Sequence, residues 1–272
     1  MESFYVTLPS NVTSPINTLN RYTTSLPYSL CLGPRWRVAL SEIHYTNSWF
    51  NLREFNEISL VDSDGNRHSK VSFLPPGRYS EIQQLIALIS SRVAPLESAS
   101  KLPILSHNEY SRRITLVEGE SITGSPLRFQ FGRELAELLG LSEGLKMPYP
   151  GKVSYGESPT DNETTFILLD SEWEAKRAYD ITGGIHNLMV YSDVVDYSVV
   201  GDVRAQLLRT VRLPPDSKFG ESVVIVYQKP YYIPLANRDI SSITIEVKDD
   251  SGEPISFQFG RVEVVLHFMK DG

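Results

Sequence analysis

The sequence of 272 residues contains a single cysteine, Cys31, which excludes an intramolecular disulfide framework and any metal site built from paired thiolates. A lone thiol fits a reducing compartment. The five histidines, His44, His68, His107, His186 and His267, show no H-x-H, H-E-x-x-H or His-Cys spacing, so the common metal-ligand patterns are missing. P-loop, dinucleotide fingerprint and G-x-S-x-G elbow are absent too, and Gly183-Gly184 alone reads as a turn. Lys and Arg number 26 against 33 Asp and Glu, and a net charge of −7 argues against gripping phosphates as the main task. No apolar run approaches the roughly 20 residues that span a bilayer. Met1-Glu2-Ser3-Phe4 lacks the basic start and apolar stretch of a secretory leader. These absences predict a soluble, non-secreted protein with no catalytic, cofactor-binding or metal-binding residues, no cofactor, no specific nucleic-acid partner and no membrane span. On that reading the sequons at Asn11 and Asn162 are silent, and the acidic Asp170, Glu172 and Glu174 form a solvated face.

What is present is mostly strand. Phe4 to Leu8 alternates in the period of a half-buried strand. Trp36, Val38 and Leu40 alternate as well, and the apolar phase then slips to Ile43 and Tyr45, which predicts a long strand with a bulge. Ile58 to Val61 and Val71 to Leu74 flank Asp62-Ser63-Asp64-Gly65-Asn66 and read as a hairpin; the acidic turn resembles part of a calcium loop but lacks its closing Glu. After Pro75-Pro76-Gly77, Ser80 and Gln83 offer a capping box for a helix whose apolar face is Ile82, Leu85, Ile86, Ile89 and Val93. A short strand pair follows around Asn108-Glu109.

The motif P-x-x-F-Q-F-G-R occurs twice, at Pro126 and at Pro254. The first copy runs into Glu134 to Leu139, helix formers closed by Gly140. The second predicts a strand from Ile255 to Phe268 with a bulge at Gly260, placing Val262, Val264, Leu266 and Phe268 on one face. Residues 140–180 read as loop with one strand at Thr165 to Leu169. Beyond them the chain is almost purely β, with strands at Asn187 to Val195, Ala205 to Leu213, Ser222 to Gln228, Tyr231 to Leu235 and Ile243 to Val247, and a turn at Asp249-Asp250-Ser251-Gly252. Lys229-Pro230-Tyr231-Tyr232 reads as a packed strand edge rather than a stacking platform for nucleic acid or sugar. A tandem double barrel is the weaker reading, because the repeated motif is short and its continuations differ.

The series Leu188-Met189-Val190-Tyr191-Ser192-Asp193-Val194-Val195, Val200-Gly201-Asp202, Leu207-Leu208-Arg209-Thr210-Val211, Pro230-Tyr231-Tyr232-Ile233-Pro234 and Phe257-Gln258-Phe259-Gly260 resembles the penton, or minor capsid, proteins of Polinton (Maverick) elements, adintoviruses and virophages. Ser3 to Asn11, Trp36 to Ile43, Trp49-Phe50-Asn51, Pro76-Gly77-Arg78-Tyr79 and Leu135 to Gly140 continue the pattern in order; residues 142–180 match nothing in it. The resemblance implies a mainly β protein, a single jelly-roll β-sandwich, that forms homopentamers at the vertices of an icosahedral virion beside a double jelly-roll major capsid protein. Its place would be the virion, after synthesis in the host cytoplasm or nucleus, and it would be no enzyme. Because both helices fall in the middle of the chain, the expected domains are a jelly roll from residues 1–50 and 181–272 and an inserted small α+β domain from residues 51–180. The alternative is a jelly-roll receptor- or carbohydrate-binding module, since that fold also serves lectins.

Overall fold

The computed structural model describes residues 2–11, 14–62, 66–93, 101–141, 173–175 and 177–271. The chain forms two compact units, Met1–Trp49 with Ile185–Gly272, and Phe50–Gly184. It opens with three strands, β1 (Ser3–Pro9), β2 (Arg21–Cys31) and β3 (Trp36–Thr46), and then enters the second unit.

That unit contains β4 (Asn56–Val61), β5 (Ser72–Leu74), α1 (Ile82–Arg92), β6 (Ile104–Asn108), β7 (Arg113–Val117), β8 (Gly119–Glu120), β9 (Pro126–Phe131), α2 (Arg133–Leu138) and β10 (Trp173–Glu174). One antiparallel sheet runs β5-β4-β9-β8 and another β10-β7-β6. Ile58 and Leu60 face Phe131 and Phe129 across β4 and β9, and these side chains share a core with Ile82, Leu85, Ile86 and Ile89 of α1. The four helix positions recur at the helical period, so one face of α1 is covered and the other left to water. The expected Ser80/Gln83 capping box does not form. Glu81 is the N-cap, in extended conformation and without a side-chain bond, which leaves Ser80 one residue too early to reach the free N–H groups. Gln83 instead reaches Glu109 and Gln84 reaches Glu81. The first F-Q-F-G-R copy is β9 running through Gly132 into α2, whose Leu135 N–H is capped by Asn56 Oδ1 at 2.9 Å. The strand expected at Thr165 to Leu169 lies outside the described residues.

The ends of this unit are tied together by one side chain. Asn51 is buried; its Nδ2 donates to the carbonyls of Tyr79 (2.9 Å) and Ile181 (2.6 Å), and its Oδ1 accepts from Tyr79 N–H (2.9 Å). Gly183, at φ +71°, lies so close to Asn51 that a Cβ there would be 3.0 Å from its backbone.

The chain then returns through β11 (Asn187–Ser192), β12 (Ser198–Val200), β13 (Val203–Ala205), β14 (Leu207–Arg212), β15 (Ser222–Val226), β16 (Ile233–Pro234), β17 (Asp239–Lys248) and β18 (Glu263–Lys270). One sheet has the order β1-β18-β3-β15, with β16 also on β3, and the other β14-β11-β17-β2. Counting the long strands β1, β2, β3, β11, β14, β15, β17 and β18 in order, the first pairs with the last, the second with the seventh, the third with the sixth and the fourth with the fifth. All four pairings are antiparallel. This nested order is that of a jelly roll. The chain is therefore mainly β, a single jelly-roll sandwich with an α+β unit inserted between its third and fourth strands. Leu8, Val38, Leu40, Ile43, Val264, Leu266 and Phe268 on one sheet and Tyr22, Leu188, Val190, Val211, Ile243, Ile245 and Val247 on the other fill its core.

Three sequence expectations need correction here. β18 begins only at Glu263, so Ile255 to Val262 is not strand; Ile255 N–H donates to Val247, Phe257 N–H to Ile255 and Gln258 N–H to Ser48, the Val262 carbonyl accepts from Ser10 N–H, and Phe257 packs edge-on against Trp49 at 5.7 Å. Gly260 is not a bulge: at φ +96° it turns the chain against Thr46, whose side chain a Cβ would strike. The bulge expected in β3 is present, for Leu266 faces Leu40 and Val265 faces Glu42, so that Ser41 is passed over at the place of the apolar phase slip. Likewise the strands expected to span Asn187 to Val195 and Ala205 to Leu213 stop at Ser192 and start at Leu207. Between them the chain makes the hairpin β12–β13 around Gly201, φ +62°.

Candidate assembly surfaces

No group of three or more His, Cys, Asp or Glu side chains able to hold a metal occurs among the described residues. The histidines have separate surroundings. His44 Nε2 lies 3.3 Å from Glu42, His68 Nε2 2.8 Å from Asp62, and the His107 ring meets Tyr179 edge-on at 6.1 Å. His186 contributes a backbone N–H to Asp250. Asp62 also accepts from the backbone N–H and side-chain amide of Asn66, as a turn-forming Asp does. Of the acidic triplet, Asp170 and Glu172 lie outside the described residues; Glu174 sits on β10 with Ser111 and Arg113. Cys31 is exposed, and a hydrogen bond to Asp239, with that carboxylate's charge, raises its thiol pKa, so it is not an activated nucleophile.

The jelly roll instead offers surfaces. On the outer face of the first sheet His267 stacks on Tyr5 at 4.3 Å, while its Nδ1 lies 2.7 Å from the Tyr232 hydroxyl. Burial lowers its pKa, and its buried Nε2 has no hydrogen-bond partner among the described residues. His267 lies on the face opposite Val264, Leu266 and Phe268, and its ring is half-covered by two aromatics. Tyr231 is exposed beside it, so Lys229 to Tyr232 is a loop and not a strand edge.

The four sheet edges are unlike one another. β2 is broken by a bulge in which Ser25 and Leu30 face Ser242 and Ile240, so that Leu26 to Ser29, with Pro27 among them, loop out of the ladder. β14 carries Arg209, stacked 3.6 Å above the Tyr227 ring, and Arg212. Bulge, proline and charge are the usual devices against edge pairing. β15, Ser-Val-Val-Ile-Val, has none of them, and Val224 and Val226 are 56% and 57% exposed. β1 at the opposite edge of the same sheet exposes Tyr5 at 62% and meets its first proline only at its last residue, Pro9. Among the described residues the β12–β13 hairpin pairs only with itself, and it exposes Tyr197, Val199 and Val203. None of these surfaces was legible beforehand, although Val-Val-Gly-Asp-Val was a hairpin signal.

No family model matches the chain, and no curated protein matches it. Solved structures do. The crystal structure of the mavirus penton protein aligns with 99% of this chain and 100% of its own, at 10% identity and a TM-score of 0.47. The cryo-EM structure of the Sputnik virophage aligns with 99% of this chain and 98% of the matched chain, at 11% identity and a TM-score of 0.48.

Proposed function

We propose that the chain is a structural capsid protein that forms the five-membered vertex of an icosahedral virion. The nested pairing of eight strands, with an α+β unit between the third and fourth, is the observation that carries this reading, because jelly rolls of this kind build viral shells. The ordered series of penton-like motifs supports it, since Leu188 to Ser192 and Leu207 to Val211 fall on the paired strands β11 and β14. The chemistry is assembly: five copies meet head to tail around an axis through a heterologous interface that closes into a ring. The double jelly-roll major capsid protein is the neighbour in the shell, and the virion is its place. Mass photometry of the purified chain, alone and mixed with that capsid protein, is expected to give a species of five copies. Dimers or tetramers alone in every condition would overturn the reading.

A further inference from the structure

The free edges of β1 and β15 match each other in direction, hydrogen-bonding set and face. In the β1–β18 ladder Ser10 N–H donates to Val262 and Lys270 N–H to Glu2, so the even residues of β1 turn towards β18 and Ser3, Tyr5 and Thr7 turn their backbone groups outward. In the β15–β3 ladder Tyr227 N–H donates to Ser41 and Asn47 N–H to Glu221, so Ser222, Val224 and Val226 turn theirs outward. None of these six residues has a further backbone partner among the described residues. Their side chains all lie on the outer face of the sheet and are exposed. Of the inner-face residues at the two edges, Leu8 and Val223 are buried, while Phe4, Val6 and Ile225 are only partly buried against the core.

We infer that β15 of one copy pairs antiparallel with β1 of the next, continuing the β1-β18-β3-β15 sheet from protomer to protomer. The inference rests on the ring proposed above. Along β1-β18-β3-β15 each strand is antiparallel to its neighbour, so β1 and β15 run in opposite directions within one copy. Rotation about an axis along the strands keeps those directions, and β15 therefore meets the neighbour's β1 antiparallel. The register that uses all six residues sets Val224 opposite Tyr5, Val226 opposite Ser3 and Ser222 opposite Thr7. Each pair exchanges both backbone bonds, and the side chains of the two copies stay on the same face. Val224 against Tyr5 is an aromatic–β-branched pair that covers two of the most exposed apolar groups of the sheet. A shift by two residues towards Pro9 brings in a residue with no N–H to donate.

Two variants of the full chain test this. Val224→Pro removes only an outward N–H, which an edge strand tolerates. It is expected to keep the parent melting temperature while raising the concentration for half-assembly by about tenfold or more. In a Cys31→Ser background, Tyr5→Cys with Val224→Cys is expected to give, with diamide, a covalent ladder rising to the ring, because directly opposed residues of a hydrogen-bonded pair lie about 5.5 Å apart at Cα, within disulfide reach. The two edges are too far apart across the sheet to link within one copy. If Val224→Pro fails to fold, the cysteine pair decides alone. Rings that survive Val224→Pro and give no ladder overturn the edge pairing and leave the vertex reading standing. A parent chain that forms no ring, alone or with the capsid protein, overturns both.

Discussion

At Asp250 one carboxylate fastens a turn to the strand that begins the chain's return. It accepts from His186 N–H at 2.6 Å, Asn187 N–H at 2.9 Å and Asn187 Nδ2 at 2.6 Å, which ties the turn after β17 to the start of β11. Burial alone raises its pKa, but the bonds from Asn187 and the His186 backbone outweigh that and hold it below the ordinary carboxylate value. A lowered folded pKa means that the stabilisation is complete above the unfolded value, about 3.9, and is lost as pH falls through the lower folded one. Asp250→Asn is therefore expected to cost stability at pH 7, about 1 kcal/mol or less after solvent screening. The difference in melting temperature from the parent should narrow at pH 3. An equal deficit at both pH values would mean that the charge is irrelevant there.

The element with most at stake is β18, flanked by β1 and β3 and contributing Val264, Leu266 and Phe268 to the core at full burial. Leu266→Ala is expected to destabilise the jelly roll by about 2–5 kcal/mol in urea unfolding, as cavity-forming substitutions do. Val265→Ala, on the half-exposed face, should cost about 1 kcal/mol or less; equal losses at the two positions would contradict the assigned faces. That parity was legible in the sequence because alternation over Val262 to Phe268 is a local signal of a strand with one buried face. The same signal misled at Ile255, Phe257 and Phe259. Alternation there was real, but a strand also needs a neighbour that runs alongside it, and this segment makes only isolated bridges, at Pro254 to Lys248 and at Phe257 to Trp49, among the described residues. Ser41 shows the opposite case, since the phase slip in β3 betrayed its bulge without any knowledge of β18. The edges of β1 and β15 were illegible for a different reason: which strands end a sheet is a property of topology, and no window of sequence contains it.

Taken as a whole, the molecule is one sandwich interrupted by a unit whose ends Asn51 holds within hydrogen-bond reach of each other. Insertions are tolerated where their ends emerge together, and we propose that each part folds alone. Replacing Phe50–Gly184 by a short Gly/Ser linker is expected to leave a soluble β-rich protein with a cooperative melt. Aggregation with every linker length, while residues 50–184 expressed separately also fail to fold, would refute independent folding.

The nested strand order also sets a timetable for synthesis. The first strand waits for the last, the second for the seventh and the third for the sixth, whereas the inserted unit is contiguous and complete as soon as residue 184 has been made. At about 5–20 residues per second the 88 residues from Ile185 to Gly272 take roughly 4–18 s to translate, a span in which β1, β2 and β3 wait for their partners. The inserted unit is thus finished before the sandwich that it interrupts. The first sheet of the sandwich is completed only once β18 has emerged to take its place between β1 and β3.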